Sequence, residues 1–141
     1  MFYEQRLDVP DTPGALRAEY EADFRTILEA VSLETAADTL SVERQTVESL
    51  LESETPALTL EAAAEIQSLG DGEPDPETIV EMACEHLLLG MTTAVVDVDT
   101  LAGDLDLDLG AKEVQQKIER RAPMTFEEFV HIQFVIADRA R

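Results

Sequence analysis

Apolar residues recur along this chain at intervals of three and four, the spacing that lines one face of a helix, and no stretch makes a convincing strand. The fold class expected is therefore all-α. Thr12-Pro13 supplies an N-cap and a first-turn proline, and Leu16, Tyr20, Phe24, Ile27, Leu28 and Val31 follow as one stripe, predicting a first long helix. Ser32 caps a short helix over 33–40, and Ser41-Val42-Glu43 turns the chain. A third helix covers about 44–53 with Val47, Leu50 and Leu51 inward. Thr55-Pro56 stops it, because proline cannot continue the hydrogen-bond ladder, and Thr59 caps a fourth helix ending at Gly70. Beyond GDGEPDP, residues 70–76, Asp75-Pro76 opens another long helix with the stripe Val80, Ala83, Cys84, Leu87, Leu88, Met91, Ala94 and Val95, running through Gly90. Asp97 caps a helix over 98–105, DLDLDLG turns the chain, and a helix over 111–121 carries Val114 and Ile118 inward. Thr125 and Glu128 form a capping box for a last helix that buries Phe126, Phe129, Ile132 and Val135/Ile136.

The order of elements repeats. Residues 31–69 lie on 96–135 with Val31 over Val96, Thr35 over Thr100, Leu40 over Leu105, Val47 over Val114, Thr59 over Thr125 and Ile66-Gln67 over Ile132-Gln133. Fixed-period self-similarity of this kind marks a repeat architecture. The expected organisation is a tail over 1–12, a first helical repeat over 13–70, a linker over 71–76 and a second repeat over 77–141. The two repeats should pack as one globule.

Charge changes the picture of the surface. Asp and Glu number 31 against 10 Lys and Arg, a net −21, and only Lys112 and Lys117 are lysines. The acids are interleaved with apolar positions, so they cover a folded surface and do not form a disordered tail. Such a surface resembles that of proteins from salt-loving archaea. It is expected to repel itself in dilute buffer and to be screened in molar salt, with bound solvent cations. The single cysteine, Cys84, leaves no internal disulfide and no multi-cysteine metal site. No signal-peptide pattern precedes the first helix. The longest uncharged run, Leu87 to Val96, is too short to span a bilayer, so a soluble cytoplasmic protein without membrane attachment is expected.

One stretch carries candidate chemistry. LETAADTLSVERQTVESLLE, residues 33–52, places a small residue, Ala37, where two helices cross, Leu40 and Val42 beside the turn, and Val47 and Leu50 under the second helix. With the T-L-E start of the next helix, it resembles the helix-turn-helix of lambda-repressor-like DNA-binding domains over residues 33–69. It departs from that family at Ser41, where the family has a turn glycine. The second copy matches at Val98, Ala102, Leu105, Leu107 and Val114, with a longer turn. The resemblance implies DNA binding through the second helix of such a unit. In the first copy that helix would present Glu48 and Glu52, unfavourable beside phosphates. In the second, Lys112, Gln116 and Arg120 are spaced four apart, with Gln115, Lys117 and Arg121 nearby. Residues 109–125 hold four basic and two acidic residues, +2, leaving −23 for the remainder. Any contact with DNA is therefore expected there. The alternative is that these bases form an intramolecular salt-bridge face answering the acidic first copy, or a homodimer contact. Arg139 and Arg141 complement a helix C-terminus.

No catalytic constellation stands out, so the chain is not expected to be an enzyme or to carry a cofactor or metal. His86 and His131 have no ligand spacing to each other or to Cys84, and DLDLDLG lacks the calcium-loop pattern. Through HLLLGMTTAVVDVDTLAGDLDLDLGAKEVQQKIERRAPMT and the FYEQ start, the chain is similar over nearly its full length to a family of uncharacterised haloarchaeal proteins, domain-of-unknown-function family 5791. That resemblance implies a compact acidic protein and brings no activity. Two functions therefore stand side by side: a non-catalytic DNA-binding or transcription-associated protein acting through the second unit, and a protein-interaction or dimerisation scaffold.

Overall fold

The computed structural model describes residues 1–140, with the side chains of Leu33, Ala37 and Thr39 outside the described set. The helices in chain order are α1 (Pro13–Glu29), α2 (Leu33–Thr39), α3 (Arg44–Leu51), α4 (Leu60–Ser68), α5 (Pro76–Ala94), α6 (Val98–Asp104), α7 (Ala111–Ile118) and α8 (Phe126–Arg139). The fold is all-α. Where the helices begin follows from local chemistry: side-chain oxygens of Thr12, Ser32, Thr59, Asp75, Asp97 and Thr125 accept from the N–H three residues on. Glu128 completes the capping box by accepting from the Thr125 N–H at 2.9 Å.

α1, α4, α5 and α8 pack into the core, with the short pairs α2–α3 and α6–α7 set against α1 and against α5 and α8. The segments entering α4 and α8 meet in an antiparallel bridge between Thr59 and Thr125. There the Leu60 N–H donates to Met124 O at 3.0 Å and the Phe126 N–H to Leu58 O at 2.9 Å. This bridge joins the two residues that the sequence pattern aligns with each other. The α3 and α7 ends correspond as well, each closing through a residue at φ 64°, Ser53 and Arg120.

Three expectations are corrected. Residues 1–12 are no tail: Phe2 is fully buried, with edge-to-face contacts to Tyr3, Tyr20, Phe24, Phe126 and Phe129 at 5.2–6.2 Å between centroids. Gln133 fixes the segment, its Nε2 donating to Phe2 O at 3.0 Å and its Oε1 accepting from the Tyr20 hydroxyl at 2.5 Å. The buried stripe of α5 is Ile79, Val80, Ala83, Cys84, Leu87 and Gly90, while Leu88 and Val95 face outward. Gly90 selects that face, because a Cβ there would lie 2.8 Å from Ile136 Cγ2, so α5 and α8 cross on the glycine. Third, α3 and α7 end at Leu51 and Ile118, short of residues 53 and 121, because the left-handed residues Ser53 and Arg120 let the next N–H groups, of Glu54 and Arg121, return to Ser49 O and Gln116 O. Ala37, assigned to the crossing of α2 and α3, has its side chain outside the described residues, as does Arg141. Among the described residues no single helix is long and apolar enough to cross a membrane.

Candidate nucleic-acid interface

The shortened α7 rearranges the basic face. Lys112 and Gln116 lie one turn apart on the helix, Lys112 exposed and Gln116 half-buried. Arg120, expected to extend that row, stands beyond the helix end in left-handed conformation, so it does not share the face. Its Nη1 lies 3.8 Å from Glu81 Oε1 of α5, with both side chains about half exposed. Lys117 points the other way, where its ammonium donates to Glu128 Oε1 at 2.9 Å and to Pro123 O at 2.8 Å. Arg121 folds back onto Glu119, which also accepts from Gln115 Nε2 at 3.4 Å. The structure thus brings Lys117, Arg120 and Arg121 each to one of the chain's own carboxylates.

These pairs are not equal. The Lys117–Glu128 pair is largely shielded, with side chains 16% and 18% exposed, and ties the end of α7 to the first turn of α8. Burial works against the Glu128 carboxylate, but the Thr125 N–H and Lys117 hold its pKa below the ordinary glutamate range. The pairs of Arg121 and Arg120 are exposed to solvent, which screens them, so they contribute little to stability. On α3, Arg44 reaches Glu48 at 3.5 Å along the helix. Arg139, in the last turn of α8, reaches across to Asp104, so it answers the acidic turn as well as the helix end.

Among the described residues no other site competes as a chemical centre. Cys84 is buried, and desolvation pushes its thiol up to about 11. His86 bonds through Nδ1 to Tyr3 O at 2.7 Å. Among the described residues no cluster of His, Cys, Asp and Glu could hold a metal ion. A cleft of about 540 Å³ opens between the Ser41–Glu43 turn, α4 and the start of α5, lined by Val42, Leu58, Ala62 and Val80 together with Glu43, Glu61 and Arg120. It abuts a second depression that shares Glu61, Val80 and Arg120 and reaches Arg121. The sequence pattern does not reveal this cleft, and the carboxylates that engage the α7 bases, Glu81, Glu119 and Glu128, lie in the second half of the chain and not in the acidic first one. Glu81 and Glu128 lie on other helices, and nothing in local spacing connects them to Arg120 and Lys117.

Comparison with known proteins places the chain by descent. A family model, described as a family of unknown function (DUF5791), matches residues 16–139, from the first buried leucine of α1 to the last residue of α8. The chain belongs to DUF5791. No curated protein and no solved structure matches it. Membership in DUF5791 brings no activity with it, so any functional reading rests on the geometry described above.

Proposed function

We propose that this member of DUF5791 is a non-catalytic protein-interaction scaffold, and that its helix-turn-helix-like units are structural. The observation carrying this reading is the engagement of the α7 bases: Lys117 with Glu128, Arg120 with Glu81 and Arg121 with Glu119. A groove binder needs such side chains free for phosphates, which supply much of the affinity for DNA. To bind, this chain would have to break its own pairs while a net −21 repels the duplex. The positive region at 109–125 instead closes the second copy onto α5 and α8. The shared order of caps, left-handed turns and the Thr59–Thr125 bridge supports an internal duplication that yields two similar faces for assembly. The same charge supports a working medium of concentrated salt. A specific observation keeps DNA as the second reading, since Lys112 is exposed and Gln116 half-exposed on the same α7 face. The deciding experiment is a titration of labelled DNA with the chain under salt conditions where circular dichroism shows it folded. The scaffold reading expects no saturable binding, and binding abolished by Lys112→Glu would replace it with the DNA reading.

A further inference from the structure

Among the described residues, three of the five exposed large apolar side chains lie in the C-terminal half of α5 and at its C-cap, the other two being Met1 and Leu7. Leu88 and Leu89 are 47% and 49% exposed and Val95 is 92% exposed. Leu88, Met91 and Thr92 follow at i, i+3 and i+4 and share a helix face, and Val95, just past the helix end, borders the same open depression with them. The chain turns at Val95 with φ 54°, a conformation that β-branched residues rarely take. That turn buries Val96, whose N–H donates to Met91 O at 3.0 Å, and leaves Val95 projecting.

Leu88, Met91, Thr92 and Val95 carry no charge, and the depression they border meets the carboxylate of Asp97 at its rim. Residues 87–96 contain none of the chain's 41 charged residues (31 acidic and 10 basic), whereas Glu81, Glu85, Asp97 and Asp99 flank them. The neutrality is particular to α5. Aligned on the N-caps Thr12 and Asp75, α1 carries Arg25, Thr26 and Glu29 where α5 carries Leu88, Leu89 and Thr92.

We propose that this face is covered by the same face of a second copy, in a twofold homodimer with the two α5 helices antiparallel and Met91 and Thr92 at the axis. Charge selects this occupant. A basic partner would be drawn to the carboxylates that cover the rest of the chain, whereas a partner bearing the same −21 can approach most closely where both surfaces are least charged. A twofold contact is self-complementary, so Leu88 packs on the partner's Val95 and the reverse. The same geometry brings Glu85 toward the partner's Asp97 and Asp99. The dimer should therefore strengthen with salt, as the screening length falls to about 3 Å at 1 M.

The inference rests on the scaffold reading and names its partner. Sedimentation equilibrium of the full chain, from dilute buffer to molar KCl with circular dichroism in parallel, should give twice the 15.6 kDa chain mass at high salt. Leu88→Asp should return a single-chain mass at every salt with unchanged helix content. Leu7→Asp, at a 72%-exposed residue of the N-terminal segment, should leave the dimer intact. Thr92→Cys should cross-link through an intermolecular disulfide when diamide takes up the two thiol hydrogens and electrons. A folded chain that keeps the single-chain mass at high concentration in molar KCl overturns the proposal, as does a dimer indifferent to Leu88→Asp. A monomer that also ignores DNA removes the dimer and leaves the scaffold reading. Saturable DNA binding removes that reading whatever the mass.

Discussion

Gly90→Ala probes the closest helix crossing in the core, and its sign should depend on one methyl group. The new Cβ would sit 2.8 Å from Ile136 Cγ2, against about 3.5–4.0 Å for carbon atoms at rest. Cγ2 hangs directly from the branched Cβ of Ile136, and a β-branched residue in a helix has one strongly preferred χ1, so the methyl cannot swing aside. The helices must separate or the side chain must leave its rotamer, and overpacking of this kind costs about 1–3 kcal/mol. Replacing an interior glycine by alanine returns about 1 kcal/mol of helix propensity. The net expectation is a loss of about 1 kcal/mol, which for a chain of this size lowers the melting temperature by roughly 3–4 °C. Ile136→Ala removes the opposing methyl, at its own cost of about 2–5 kcal/mol. In that background Gly90→Ala should stabilise by about 1 kcal/mol, giving a coupling near 2 kcal/mol in the double-mutant cycle. Urea unfolding of the four proteins in molar KCl, followed by far-ultraviolet circular dichroism, measures it. An additive cycle, with Gly90→Ala stabilising in both backgrounds, would refute the close crossing of α5 and α8.

The two glutamines aligned in the two halves should respond in opposite directions. Gln133→Leu breaks the bonds to Tyr20 and Phe2 and should cost about 2–3 kcal/mol, whereas Gln67→Leu replaces a side chain whose buried Oε1 has no partner and should be neutral or stabilising, read by chemical unfolding. Phe2→Ala should cost about 3–5 kcal/mol in the same measurement, because the ring is fully buried among five others. The backbone N–H groups at their helix starts hold the Asp75 and Asp97 carboxyls below the usual aspartate range. The stability they contribute is therefore present above the ordinary carboxylate pKa of about 4 and lost as pH falls through the lowered values, so Asp75→Ala and Asp97→Ala should destabilise the chain at neutral pH and progressively less below pH 4, read by urea unfolding followed by circular dichroism. Burial pushes the Tyr20 phenol up to about 12, so its stabilising share holds below about pH 10 and is lost as pH rises toward 12, where ultraviolet absorbance should show delayed ionisation. Melting temperature should rise from dilute buffer to molar KCl, and a flat profile would mean that the acidic surface is balanced within the fold.

Helix starts were the most legible part of the fold, because caps are local: Thr12, Ser32, Thr59, Asp75, Asp97 and Thr125 all cap as their side chains foretell. The ends of α3 and α7 were not, because Ser53 and Arg120 close them in a conformation usually marked by glycine. That single feature removed Arg120 from the face that α7 spacing alone assigned to it. Phe2 escaped notice because one aromatic in a short segment has no periodicity, and its place depends on rings more than a hundred residues away on α8. Leu88 and Val95 fit the α5 stripe by spacing. Only the α8 crossing at Gly90 rotates the helix enough to leave them outside. For the candidate site, residue types and net charge were readable, but the partners were not. Glu81 and Glu128 reach Arg120 and Lys117 only through tertiary packing.

The central claim is that the α7 bases serve the chain itself and not a nucleic acid. Fluorescence anisotropy of a labelled genomic DNA fragment, titrated with the folded chain across a series of KCl concentrations, tests it most directly. The account predicts no saturable signal at any salt where helix content is intact, and none for Glu81→Gln, which frees Arg120 from its carboxylate. Saturable binding that weakens with salt and disappears in Lys112→Glu would contradict it.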